Sequence, residues 1–351
     1  MRLLGPVAFA VLVAASLSAQ APAQPPAPAP PALWSLSGDF ALPESAYHDA
    51  PSNSIFVSSI NGDLLAKDGN GYISRLSPDG RMINAKWATG LNGPKGMRAA
   101  GRTLWVSDID EVVAIDINTG TITTRVKVDG ATFLNDLATG PDGTVYVSDS
   151  QGSRIYAVKD GKASVFVEGA DAVQQANGLL VDGARLILGT VGPVAAGGGR
   201  GAGAARGRGD APQAGPPGGR DGAPADARGG APAARGDAPP AGRGQGRGGR
   251  GAAAGGILVA FDLKTKQRTL LTTEPVGGVD GIEPDGRGGL VITDVFGSRI
   301  VHVAPSGATR TLLQLPAAGA DFAYIAATRT AVVPYLFGNS VSAYDLTAAL
   351  K

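Results

Sequence analysis

Apolar residues along this chain fall in short runs, not in long amphipathic faces. "SIFV" (54–57), "TLWV" (103–106), "TVYV" (144–147) and "LVIT" (290–293) gather β-branched and aromatic residues over a few positions, and Gly, Asp, Asn or Pro punctuates each one. No stretch keeps an amphipathic helical period, so the pattern predicts strands and turns. The runs also repeat. "PDGTVYVSDSQGSRIYAV" (141–158) lies over "DGRGGLVITDVFGSRIVHV" (285–303), and 101–117 and 50–76 are weaker copies. A period of this size in an all-β chain points to propeller blades of four strands each.

Six inner-strand starts can be marked: Pro43-Glu44-Ser45, Pro94-Lys95-Gly96, Leu134-Asn135-Asp136, Ala176-Asn177-Gly178, Val279-Asp280-Gly281 and Ala320-Asp321-Phe322. Their spacings are 51, 40, 42, 103 and 41 residues, and the long one becomes 43 once the segment 197–256 is set aside. In the fourth unit the strands are expected at 177–181, 184–190 and 257–262. The last unit offers three strands, at 321–327, 329–337 and 340–346. Its missing outer strand is expected at 34–40, so that the ring closes by pairing the first strand with the last. The fold class is therefore all-β, a six-bladed β-propeller without an open sheet edge.

Composition adds three constraints. The chain has 351 residues, 31 Lys+Arg against 30 Asp+Glu, no cysteine and two histidines. The balance excludes retention on nucleic acid or membrane by bulk charge. The missing cysteines exclude disulfides, thiolate nucleophiles and Cys-ligated metal sites. Residues 1–21 read as a cleaved signal peptide, with an apolar run too short to span a bilayer and small-residue cleavage sites, so the expected location is secreted or periplasmic, without membrane insertion. Residues 22–33 form a Pro/Ala-rich linker, and 34–351 the propeller. The segment 197–256 carries 22 of the 53 glycines, nine Arg and four Asp, with no Ile, Leu, Val, Phe, Tyr or Trp. Such a segment has no apolar surface to offset chain entropy, so it is expected as a disordered insertion in blade four. It lacks the aromatic residues that stack on bases, so no nucleic-acid partner is expected.

At one phase of every unit stands a polar residue: Glu44, Lys95, Asn135, Asn177, Asp280 and Asp321. In a propeller the start of each innermost strand opens on the central channel, so these six side chains should converge. Carboxylate and amide oxygens suit a hard divalent cation, and carboxylates crowded together without one repel. Polar residues that merely solvate a water-filled channel would give the same pattern.

The motifs Glu44-Ser45 followed by "NSIFV", Asn135-Asp136, Asn177-Gly178-Leu179 and Asp280-Gly281 resemble the signature positions of the SMP-30/gluconolactonase (regucalcin-like) six-bladed propellers, over 34–346. That resemblance implies Glu44, Asn177 and Asp280 as ligands of one divalent cation: Ca2+ first, with Zn2+, Mn2+ or Mg2+ as alternatives. It implies Asn135 as a substrate- or water-holding residue and Asp280 as general base, in a hydrolase of a small lactone or ester. Two positions depart from the family pattern. Phe133 stands where family lactonases carry an arginine, and Lys95 enters the ring. Lys95 would bind an anionic substrate group or a developing oxyanion, or else pair with Glu44 or Asp321. A non-catalytic propeller that binds a ligand or protein on its rim, and a metal-free propeller like strictosidine synthase, are the alternatives. The expected partner is a small-molecule substrate; no partner protein is inferable.

The other polar residues carry less. His48, four positions after Glu44, is expected on the channel face and deeper. His302 belongs to an outer strand. Asp108, Asp149 and Asp294 recur after "VS", "VS" and "IT" and are expected to tie turns. "KDGNG" (67–71) is half a calcium loop without its distant Glu. No Walker lysine motif or G-x-S-x-G elbow is present, which argues against ATP use and serine hydrolysis.

Overall fold

The computed structural model describes residues 31–192 and 255–351; the expected signal peptide, most of the linker and nearly all of the insertion lie outside the described residues. The strands of the described residues form six antiparallel four-stranded sheets. From the axis outward, blade one is Pro43–Asp49, Ser54–Ser59, Gly71–Leu76 and Met82–Leu91. Blade two is Pro94–Ala100, Thr103–Asp108, Glu111–Asp116 and Ile122–Lys127. Blade three is Leu134–Thr139, Val145–Asp149, Arg154–Lys159 and Lys162–Glu168. Blade four is Ala176–Asp182, Arg185–Thr190, Leu258–Asp262 and Arg268–Leu270, the second and third strands flanking the insertion. Blade five is Val279–Pro284, Leu290–Asp294, Arg299–Val303 and Thr309–Gln314. Blade six takes Ala323–Ile325, Thr330–Tyr335 and Ser340–Asp345 from the end of the chain and Trp34–Ser37 from its start.

The closing strand ends at Ser37, short of the expected 40, and two further boundaries differ from expectation in ways that bear on the axis and the insertion. The inner strand of blade six begins at Ala323, not at Asp321, and Asp321 makes a single parallel bridge to Ser45 of blade one instead. That bridge joins the last blade to the first at the axis. Gly255 and Gly256, expected inside the insertion, belong to the fold: Gly256 bridges Gly277, its amide donating to the Gly277 carbonyl at 2.7 Å.

The blades are held by six apolar clusters, one wedged between each neighbouring pair. Val57, Ala46, Ala323 and Val332 seal blade six to blade one, and Phe56, Ile73, Met97 and Val113 seal one to two. Burying such side chains contributes about 25 cal/mol per Å² of apolar area removed from water. The closing strand pairs Trp34 with Ala343 and Ser37 with Ser340. Trp34 also reaches blade one, where Nε1 donates to the Pro78 carbonyl at 3.1 Å. Its indole lies flat on Gly80, at φ +87°, where any Cβ would overlap the ring.

A chain that starts at Gly38 should therefore expose the outer edge of Ser340–Asp345 and lose the Trp34 contact. Against a chain starting at Pro31, thermal unfolding should shift down by roughly 5 °C or more, with concentration-dependent association in light scattering. Equal midpoints would show that closure does not depend on this strand.

Candidate functional site: the polar ring at the channel mouth

Each of the first five inner strands carries one extra residue against its neighbour. The register shifts between Pro43 and Ser45, Pro94 and Met97, Leu134 and Leu137, Ala176 and Leu179, and Val279 and Ile282. A bulge of this kind bends the strand and re-aims a side chain. Here it falls on the ring residue in every case. The amide freed after the bulge is caught by a hydroxyl of the second strand: Ser45 N donates to Ser58 Oγ at 3.0 Å, Asp136 N to Ser148 Oγ at 3.0 Å, and Gly281 N to Thr293 Oγ1 at 2.8 Å. In blades two, three and five the approach to the inner strand is tied by an aspartate of the same blade's second strand. Asp108 accepts from the Asn92 and Gly93 amides, Asp149 from Thr132 and Phe133, and Asp294 from Gly278. These three aspartates tie turns, as their repetition predicts.

Glu44, Lys95, Asn135, Asn177, Asp280 and Asp321 are all buried. Small residues after them let the inner strands crowd. A Cβ on Gly281 would stand 2.5 Å from Asp321 Oδ1, and one on Gly178 would overlap the Asp280 carbonyl oxygen. Asn177 Nδ2 donates to Asp280 Oδ1 at 2.9 Å, which turns the amide so that Oδ1 is its free end. Ser45 Oγ donates to Asp321 Oδ2 at 2.6 Å, and Asn135 Nδ2 donates to Ser150 Oγ at 3.2 Å. Lys95 Nζ donates to the Gly93 carbonyl at 3.0 Å and stands 4.5 Å from the centroid of the Phe133 ring.

Three acceptor oxygens in this ring are buried without a hydrogen-bond partner: Glu44 Oε2, Asn177 Oδ1 and Asp321 Oδ1. An unpartnered buried acceptor is costly, on the order of 1–3 kcal/mol, more for a charged group. Charge adds to the imbalance. Burial pushes Asp280 up to about 7, helped by the neighbouring Asp321 and opposed by the bond from Asn177. Burial likewise pushes Asp321 up to about 6, against the pull of Arg98 and Ser45. Glu44 is held well above the usual carboxylate range by burial and by Asp280, with Lys95 opposing. Lys95 is lowered by burial, against Glu44 and Asp108. These donors fit a hard divalent cation, which would satisfy the orphaned oxygens and offset the excess negative charge. Among the described residues no three Asp, Glu, His or Cys side chains gather closely enough to hold an ion alone, so the expected set depends on the Asn177 amide oxygen.

Beneath the ring lies a feature that the spacing argument missed. Arg98 of blade two donates from its Nη1 to Glu283 Oε1 of blade five at 2.6 Å. Blades two and five face each other across the six-membered ring, so this pair spans the axis. The Arg98 guanidinium also stands 5.4 Å from the Tyr47 ring and draws on Asp136 and Asp321. Asp136, buried, accepts from the Leu179 amide at 2.6 Å and so ties blade three to blade four. Tyr47, Arg98 and Glu283 each lie three residues after a ring residue. A charge in the middle of an otherwise apolar inner strand was the available signal.

The same offset corrects His48. After the bulge at Glu44 the alternation changes phase, and Tyr47, not His48, follows Glu44 on the channel side. His48 instead lines a surface cavity with Trp34, Asn53 and Thr328 at the seam of blades six and one. His302 is on the third strand of blade five, with Nε2 2.8 Å from Asp285 Oδ2, away from the ring.

Breaking the cross-axis pair should be expensive, because Glu283, with its side chain only 12% exposed, would be left without its cation. Arg98→Met is expected to cost about 3–5 kcal/mol in denaturant unfolding, and a loss below about 1 kcal/mol would show that the pair does not brace the channel. The raised carboxyls set a pH trend in the cation-free protein. A carboxyl that binds its proton more tightly folded than unfolded stabilises at low pH and loses that contribution as pH rises from the unfolded value near 4 toward the folded one. From Asp280 and Asp321 that window runs from about pH 4 to about pH 7. Thermal unfolding in chelator should fall by roughly 5 °C or more between pH 5 and pH 8. A midpoint that rises over that interval would contradict the burial of these acids.

No protein-family model and no curated protein matches the chain. Solved structures do share its fold. A gluconolactonase from Xanthomonas campestris superposes with a TM-score of 0.54 at 13% identity, over 90% of this chain and 88% of that one. A second structure ascribed to the gluconolactonases gives 0.54 at 13% identity, over 91% and 93%. A chain of the nidogen/laminin complex gives 0.53 at 14%, over 80% and 88%. At these identities the likeness establishes the six-bladed propeller, and the neighbours that share it include gluconolactonases.

Proposed function

We propose that the ring is the active site of an exported, divalent-cation-dependent hydrolase acting on a small lactone or ester. The observation that carries this reading is the pair of orphaned buried oxygens, Glu44 Oε2 and Asn177 Oδ1, beside the Asp280 carboxylate. The chain resembles the SMP-30/gluconolactonase family at these same positions, and the fold is one that gluconolactonases use. Glu44, Asn177 and Asp280 would hold the cation, Ca2+ before Zn2+, Mn2+ or Mg2+. A cation bound there supplies a Lewis acid for the substrate carbonyl and lowers the pKa of water.

The chain's own residues do the rest. Asp280 accepts the proton of the attacking water and returns it to the alkoxide that leaves when the acyl C–O bond breaks. The bond from Asn177 Nδ2 to Asp280 Oδ1 fixes the orientation of the carboxylate that takes that proton. Asn135, held through Nδ2 by Ser150, presents its amide oxygen to a substrate hydroxyl or water. Lys95, braced by Gly93 and Phe133, is the group suited to a substrate carboxylate or the oxyanion. Phe133, in the place of a family arginine, removes a donor for sugar hydroxyls.

Metal analysis of the mature protein, followed by a lactone panel with and without chelator, tests the reading. One divalent cation per chain is expected. Asp280→Ala should lose it, and activity should drop by about 10²–10⁴-fold with the circular dichroism spectrum unchanged. A variant that keeps its cation would remove Asp280 from the site.

A further inference from the structure

Eight large hydrophobic side chains are exposed among the described residues, and their positions divide them into two groups. Ile83, Val165 and Leu270 sit on the outer strands of blades one, three and four, and Leu33 stands just before the closing strand, where exposure is ordinary. Leu64, Leu65, Phe296 and Phe337 all sit on loops between the second and third strands of blades one, five and six. An inner strand starts on the ring face, the second returns to it, and so these loops stand on the face that bears Glu44 and Asp280. Blades five, six and one are consecutive, which makes the four side chains a crescent. Phe296 and Phe337 are 70% and 84% exposed, the highest values in the group.

Each loop of this crescent is seated on the residue two positions ahead of a ring residue. Phe296 packs on Gly278, where a Cβ would stand 2.7 Å from its ring, two residues before Asp280. The Phe337 turn is tied by Asn339 Oδ1, which accepts from the Leu42 amide at 2.8 Å, two residues before Glu44. Leu64 lies with its carbonyl against Gly93, two residues before Lys95. Across the mouth, the Phe133 ring reaches Lys95 itself. A single exposed phenylalanine needs no ligand, but four exposed apolar side chains on the loops of three consecutive blades, all on the face of a polar site, offer an apolar group a place to bind.

We propose that Leu65, Phe296 and Phe337, with Phe133 opposite, form an apolar rim that binds a hydrophobic substituent of the substrate. The preferred substrates are then alkyl- or aryl-substituted lactones or esters, not polyhydroxylated ones. This rests on the hydrolytic reading of the ring, and the polar ring with the apolar collar divides the work: the ring takes the carbonyl, the rim takes the tail.

Binding separates the two ideas. γ-Lactams bearing methyl, butyl and hexyl tails keep the ring and carbonyl but resist hydrolysis, and their Kd is read by titration calorimetry on the full-length mature protein with cation present. From methyl to hexyl the Kd should fall by at least about tenfold, since each buried methylene adds to transfer from water. Phe296→Ala/Phe337→Ala should flatten that slope, whereas Ile83→Ala on the outer strand should keep it. Phe337→Ala alone, at the most exposed position, should flatten it in part and serves if the double variant fails to fold. A flat series in the parent protein overturns the rim, as does a slope that both phenylalanine variants retain. The matching γ-lactones are assayed beside them. Chain-length-dependent lactam binding without lactone hydrolysis would remove the hydrolase and keep the rim; lactone hydrolysis with a flat lactam series would do the reverse.

Discussion

Charge removed from water at a crowded axis is the constraint on which this structure turns. Six inner strands converge, and the residues at their mouths include Glu44, Asp280 and Asp321, with Asp136 close behind, all buried. Among the described residues, Lys95 and Arg98 oppose them from within the channel. Carboxylates so placed resist ionising, and the neighbouring features are answers to that difficulty. Ser45 bonds Asp321, Asn177 bonds Asp280, and Arg98 crosses the axis to Glu283. Three oxygens still lack partners among the described residues, Glu44 Oε2, Asn177 Oδ1 and Asp321 Oδ1.

Holding such a ring requires a frame that does not yield, and the frame is apolar. Each wedge between blades is a separate cluster, so no single layer supports the site and every blade leans on two neighbours. Circular closure makes that mutual support complete. Blade six is finished by Trp34–Ser37, and Trp34 then anchors on the turn at Gly80 of blade one. At the axis the Ser45–Asp321 bridge makes the same junction from inside. The first and last blades are therefore joined twice, by an outer strand and by an inner contact.

The bulges connect frame to site. A regular strand would turn alternate side chains outward into the wedges, and a polar residue at its start would have no fixed direction. One extra residue per inner strand breaks that alternation where it matters, and a second-strand Ser or Thr catches the released amide in blades one, three and five. The "VSD" and "ITD" strings of blades three and five thus serve the channel from one strand away: their hydroxyl supports the bulge, and their aspartate ties the approach to the inner strand of its own blade.

The blade count, the circular closure and the six ring positions were all legible in the chain, because a repeat writes the same physical requirement several times. Gly, Asp and Pro at fixed offsets mark turns, and β-branched runs between them mark strands, whatever lies around them. The phase of each inner strand beyond its bulge was not legible. That is why His48 is expected in the channel and is found at the seam, with Tyr47 in its place. Nor was the Arg98–Glu283 pair, whose members are 185 residues apart and meet only because blades two and five stand opposite. Asp321 reads as the start of a strand and proves to be a bridge to Ser45. Local chemistry is carried by neighbours in sequence, and so the sequence by itself determined strands, turns and blades. Which oxygens are left unpaired, which charges face one another and which phenylalanines crown the mouth depend on distances through space, and only closing the ring decides those.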